Sequence, residues 1–181
     1  FPFQESFNYV KSNDLKKIQL FYLFIFLHLG LYAQESKEKI PKRVYTTKSI
    51  GEITAPVIDG IIDDESWNLV DWDGDFIERD PDENTPPSQQ TQFKILYDAK
   101  NLYIAVRAFD TEPDKIEKRL SRRDGFEGDY VEMHIDSYHD LRTAFSFTVT
   151  AAGVKGDEAI SENGENFDES WNPIWYTKTN I

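Results

Sequence analysis

The 181-residue chain contains no cysteine and only one methionine, Met133. The absence of cysteine excludes disulfide bonds, a thiol nucleophile and a lipid anchor attached through an N-terminal cysteine. Basic residues are also scarce, since 20 lysines and arginines stand against 33 acidic residues. A charge imbalance of this sign repels phosphate backbones and anionic lipid, because binding to either requires lysine and arginine to displace counterions. We therefore expect neither nucleic acid nor a membrane surface as a partner.

The chain also lacks an apolar run long enough to span a membrane. Its longest run, Ile18 to Tyr32, has about 15 residues, whereas a spanning helix needs roughly 20. The run follows Lys16 and Lys17 and precedes Ala33, which is the layout of a secretory signal peptide. We expect residues 1–34 to comprise upstream residues and a signal peptide. The cleaved chain would then be secreted, periplasmic or on the outer cell surface, without membrane insertion.

Residues 43–181 show the patterns of short strands, and 35–42 form a polar linker before them. The clearest pattern is a hairpin, in which Thr91 to Tyr97 and Leu102 to Phe109 flank a turn at 98–101. Tyr130 to Asp136 alternates apolar and polar residues, and the strand from Phe145 to Val149 repeats this alternation. The aromatic content of 14% is high enough to build one core.

Three further predictions are local. Val44 to Ile53 reads as a first strand, and Asp63 to Val70 reads as one or two helical turns capped by Asp63 or Asp64, with Trp67 pointing inward. After Gly153 the order weakens into a glycine- and acid-containing loop. These patterns together predict an all-β fold, an antiparallel, jelly-roll-like β-sandwich. We expect this sandwich, residues 43–181, to lack its C-terminal edge.

Four segments in order resemble the family 9 carbohydrate-binding modules. They are PVIDGIIDDESW from Pro56, QFKILYDAKNLYIAVRAFD from Gln92, GDYVEMHIDSY from Gly128 and FSFTVTAAG from Phe145. The resemblance implies a non-catalytic sandwich that binds polysaccharide ends and small sugars, in some members with structural calcium. It also implies an exported bacterial protein in which such a module precedes a C-terminal domain.

The resemblance assigns roles to individual positions. Phe126 matches the aromatic platform, where the strongest binders have tryptophan, and Glu132 matches the carboxylate that binds sugar hydroxyls. Thr148 stands where those binders have arginine. Trp175, in the last aromatic group of the chain, is our third candidate for carbohydrate binding. The other interpretation is that Phe126 covers a core edge and Glu132 lies on a solvated strand face, in a structural or interaction domain without sugar binding.

Two other sets of acids have the spacing or the residue type of functional sites. Asp71, Asp73 and Asp75 alternate like the start of a calcium loop, but Phe76 stands where an EF-hand requires glycine. They either contribute to an irregular structural calcium site or form a solvated acidic face. Glycosidases act through a pair of aspartate or glutamate carboxylates, and Asp129, Glu132 and Asp136 are residues of this type. Alternating strands often place acids on one face without any catalytic role, so we predict a module that is not an enzyme. The other possibility is that it is the accessory module of a glycoside hydrolase.

Overall fold

The computed structural model describes residues 42–181, so the predicted signal peptide and nearly all of the predicted linker lie outside the described residues. Residues Tyr45–Ile181 form one compact unit. The strands are β1 (Lys48–Ser49), β2 (Thr91–Tyr97), β3 (Leu102–Ala108), β4 (Tyr130–Ile135), β5 (Ala144–Thr150), β6 (Lys155–Ser161) and β7 (Asn166–Asp168). Short 3-10 helices span Glu65–Leu69, Pro113–Lys115 and Glu162–Gly164, and the described part contains no α-helix. The predicted all-β fold is confirmed.

The first sheet has the strand order β1-β2-β3 and is built on the predicted hairpin. Strands β2 and β3 pair antiparallel from Thr91↔Ala108 to Tyr97↔Leu102. Asp98 closes the turn, because its carboxylate accepts the backbone N–H groups of Lys100 at 2.6 Å and Asn101 at 2.7 Å. This is the local side-chain-to-backbone bonding that makes aspartate a turn residue.

Strand β1 corrects two predictions. The strand expected over Val44 to Ile53 is limited to Lys48–Ser49, since Gly51, at a φ of +59°, turns the chain directly after it. Strand β1 also pairs parallel to β2, through Lys48↔Leu96 and Ser49↔Tyr97. The first sheet is therefore mixed rather than antiparallel.

The second sheet has the order β4-β5-β6-β7 and is antiparallel throughout. The loop predicted after Gly153 is wrong, because residues 155–161 form β6 between β5 and β7. Glycine and acidic residues are depleted from strands, so the sequence of β6 favours a loop. Only pairing with two neighbouring strands makes this segment extended.

The hydrophobic core of the described part lies against the first sheet and contains Ile50, Trp67, Val70, Leu96 and Ala105. Trp67 is 5% exposed, which confirms its inward orientation. Asp64 precedes the 3-10 helix, but its carboxylate accepts the N–H of Val57 at 3.2 Å and forms no capping bond. The ammonium group of buried Lys94 donates to the carbonyl oxygen of Trp67 at 2.7 Å.

The two sheets face each other across a cavity of about 830 Å³. Ile104 and Val106 of β3 line one side, and Val131 and Met133 of β4 line the other. Because side chains alternate along a strand, the residues between Val131 and Met133 point away from the cavity. Glu132 therefore lies on the outer face of the second sheet.

Candidate functional site

Two rows of polar residues cross the outer face of the second sheet. The backbone pairing aligns Glu132 with Thr148 and Thr148 with Gly156 in one row. The next row aligns His134 with Ser146 and Ser146 with Glu158. Directly opposed residues of an antiparallel pair project to the same side. We call this set the polar face: Glu132, His134, Ser146, Thr148, Gly156 and Glu158.

Phe126 lies over one end of the polar face. A Cβ atom added to Gly156 would overlap the Cε1 and Cζ atoms of the Phe126 ring, so the ring lies directly on the glycine backbone. Backbone bonding fixes the loop that carries Phe126: the N–H of Asp124 donates to the carbonyl oxygen of Lys155 at 3.1 Å, and the Asp124 carboxylate accepts the N–H of Asp157 at 3.1 Å. The half-buried ring is thus anchored to the edge of β6.

One carboxylate oxygen of Glu132 accepts hydrogen bonds from neighbouring side chains, and the other does not. Its Oε1 accepts the hydroxyl of Ser146 at 2.8 Å and that of Thr148 at 3.4 Å, and it lies 3.1 Å from Nε2 of His134. Its Oε2 has no hydrogen bond within residues 42–181. Burial acts to raise the pKa of Glu132, but the bonds from His134 and Ser146 outweigh it, so the pKa is lowered. The group is an ionised acceptor with one free oxygen.

Glu158 is the residue that sequence reasoning missed. It is 8% exposed, and its side chain forms no hydrogen bond or ion pair with any described residue. Burial raises the pKa of this carboxyl, and the negative charge of Glu132 raises it further. Serine and threonine at the even positions of β5 were a usable signal of a polar face. No comparable signal marked β6, where the prediction was a loop.

Trp175 lies on the opposite side of β6 from Phe126. Its ring contacts Phe147 at 5.4 Å between centroids, and its indole N–H donates to Oδ2 of Asp157 at 3.0 Å. Arg123 also donates to this carboxylate. Asp157 alternates with Gly156 and Glu158, so its side chain points away from the polar face. The structure thus brings Phe126 and Glu132 to one face and places Trp175 on the other.

The remaining acids do not converge. Among residues 42–181 no three histidine or acidic side chains form a group that could hold a metal ion, so Asp71, Asp73 and Asp75 do not form a recognisable cage. Structural calcium stays a prediction. Asp129 accepts the N–H of Glu117 at 2.9 Å, and Asp136 accepts that of Leu141 at 2.8 Å. Both carboxylates therefore support loops.

The comparison with family models supplies the family. A model described as "Carbohydrate family 9 binding domain-like" matches residues 58–178. The chain belongs to this family. Neither the comparison with curated proteins nor that with solved structures gave a match.

Membership confirms the resemblance, the sandwich fold and a carbohydrate-binding type of domain, and modules of this family are generally non-catalytic. The matched range includes the loop of Phe126 and all strands of the polar face. Within residues 42–181, no helix has the length and apolar character needed to cross a bilayer.

Proposed function

We propose that this domain is a non-catalytic carbohydrate-binding module of an exported bacterial protein, and that it binds a glycan at Phe126 and the polar face. The observation that carries the proposal is a half-buried aromatic ring on the same sheet face as a carboxylate with one unused oxygen. The module would hold a glycan near a C-terminal domain of the same protein. It would act in the periplasm, on the outer surface or in the medium.

The ring supports the apolar part of the interaction. A pyranose has a C–H face that excludes water when it stacks on an aromatic ring. Covering about 50 Å² of apolar surface stabilises a complex by roughly 1.3 kcal/mol, which is about tenfold in affinity. Phe126 is held from below by Gly156, so little motion is lost when a sugar binds its exposed side.

Glu132 supports the polar part. Hydrogen bonds to an ionised acceptor are roughly twice as strong as neutral ones. The bonds from Ser146 and His134 fix the carboxylate through Oε1 and leave Oε2 for a sugar hydroxyl. A carboxylate already oriented by its neighbours loses little side-chain entropy when it binds.

One observation favours the second candidate, a structural or interaction domain without sugar binding. Thr148 is 1% exposed and its hydroxyl contacts Glu132, so the position that carries arginine in strong binders offers no donor to a ligand here. Under this alternative the polar face would be a closed network. The free oxygen of Glu132 favours the binding function instead.

Isothermal titration of the purified protein with cellobiose, xylobiose and soluble polysaccharides tests the proposal. We expect Phe126→Ala to weaken binding about tenfold and Glu132→Gln to weaken it by a similar factor, because each removes one of the two contacts. Tyr176→Ala is the matched control, since this 79% exposed ring makes no ring contact within residues 42–181. Failure of the unaltered protein to bind any of these sugars would support the second candidate.

Export is tested separately. Expression of the full chain in a bacterium, followed by fractionation and N-terminal sequencing, should find a shortened protein outside the cytoplasm that begins after Ala33 or Gln34. Full-length protein confined to the cytoplasm would contradict this part of the proposal.

A further inference from the structure

Glu158 is a largely covered side chain whose carboxyl oxygens have no hydrogen bond to a described residue and keep contact with solvent. Charged side chains in protein interiors are normally paired or hydrogen-bonded, because removing an unpaired charge from water is costly. Glu158 is 8% exposed and has no polar partner among the described residues. Its position on the polar face, two residues along β6 from the glycine beneath Phe126, directs it toward the proposed ligand.

The groups around Glu158 make its surroundings negative. Glu132 faces it across β5, Glu169 follows β7, and Asp124 lies on the loop of Phe126. His134 is the one titratable group among these neighbours that can carry positive charge, and it already contacts Glu132. Arg123 is bound to Asp157 on the opposite side of β6. Among these neighbours, none places an unpaired positive charge opposite Glu158.

We propose that the polar face selects sugars that carry a protonated amine, with Glu158 accepting hydrogen bonds from the ammonium group while Glu132 binds a neighbouring hydroxyl. The inference rests on the glycan-binding function proposed above and names its substrate class. Strands β4 and β6 flank β5, so their backbones are roughly 10 Å apart. Two glutamate side chains extending over Ser146 and Thr148 from such positions can contact one hexose ring.

The chemistry distinguishes three closely related sugars. A hydroxyl at the same carbon gives Glu158 a neutral donor, an acetamide gives it a neutral donor with added bulk, and an ammonium gives it a charged donor. Charged hydrogen bonds are the strongest of these. An ammonium also supplies the opposite charge that the acidic neighbours of Glu158 do not, so the amino sugar should bind most tightly.

Three β-1,4-linked disaccharides test the inference: cellobiose, the corresponding diglucosamine and its N-acetylated form. Titrations at about pH 6.5 keep an aliphatic amine largely protonated, and about 0.15 M salt screens the general attraction of an acidic protein for cations. We expect the unaltered protein to bind diglucosamine at least about tenfold more tightly than cellobiose. We expect Glu158→Gln to reduce that ratio to near one.

Glu169→Gln is the matched control, because it removes the same charge from an exposed neighbour of the polar face. It should retain the preference for diglucosamine. Equal binding of cellobiose and diglucosamine by the unaltered protein, or an unchanged ratio in Glu158→Gln, would overturn the amino-sugar inference and leave the glycan-binding function standing. Binding of none of the three would overturn both.

A calcium titration tests whether Glu158 binds a metal ion instead of an amine. Calcium binding that is abolished by Glu158→Gln would assign the carboxyl to a metal ion and overturn the inference. Absence of calcium binding, together with preference for the amine, supports it.

Discussion

Substitution of Gly156 by alanine tests the placement of the aromatic platform. The added Cβ atom would lie closer than 3.0 Å to two atoms of the Phe126 ring, whereas carbon atoms pack at about 3.5–4.0 Å. The ring must therefore move by more than about 1 Å. Gly156 has no left-handed backbone conformation, so alanine introduces no backbone strain.

The displacement should affect binding more than stability. Overpacking costs about 1–3 kcal/mol when neighbours cannot move, but the half-buried Phe126 ring can tilt outward. Alanine also loses less backbone entropy on folding than glycine, which stabilises the folded protein by about 0.5–1 kcal/mol. We expect the free energy of unfolding to change by less than about 1 kcal/mol, while sugar affinity falls about tenfold as it does without the ring.

The assay is titration calorimetry combined with urea unfolding, and a double-mutant cycle provides the control. If Gly156→Ala acts only through Phe126, adding it to Phe126→Ala should change affinity no further, because neighbouring effects on one ring are not additive. Wild-type affinity in Gly156→Ala would refute the described contact. Additive losses in the double mutant would refute the mechanism.

Three further predictions concern stability. Trp67→Ala should lower the free energy of unfolding by about 3–5 kcal/mol in urea, because Trp67 is 5% exposed in the core; Tyr176→Ala should leave it nearly unchanged. Bonds from Lys100 and Tyr103 lower the pKa of Asp98 to about 2 from 3.8. The stability from Asp98 is thus present above pH 3.8 and lost as pH falls through about 2. Asp98→Asn should make the free energy of unfolding depend less on pH in this acidic range. An unaltered acid-unfolding profile would contradict the prediction. Asp157→Ala should lower the melting temperature, because Arg123 and the Trp175 indole lose a shared acceptor; an unchanged melting temperature would speak against that network.

Local patterns predicted the parts of the fold whose signals lie close together in the chain. The β2–β3 hairpin follows from two strand-like runs around Asp98, whose carboxylate bonds the turn directly. The alternation of β4 and β5 follows from apolar positions on one side of the sheet, of which Val131, Met133 and Val149 line the cavity. Trp67 could be assigned to the core because a large ring gains most from burial.

The candidate site was only partly predictable. The resemblance indicated Phe126 and Glu132, which the structure brings to one face. It could not indicate Gly156 and Glu158, because a strand containing glycine and two acids has the composition of a loop. Trp175 could not be placed either, since its partners Phe147 and Asp157 belong to separate strands.

Sequence alone determined the strand periods and the hairpin turn, because each depends on residues within a few positions of one another, and its lack of cysteine excludes thiol chemistry. Tertiary structure decided which polar side chains share a surface. The pairing of β5 with both β4 and β6 carries Glu158 to the same face as Glu132, 26 residues away in the sequence. A buried acid acquires that position from the strand pairing of the whole sheet, so no local pattern could have revealed it.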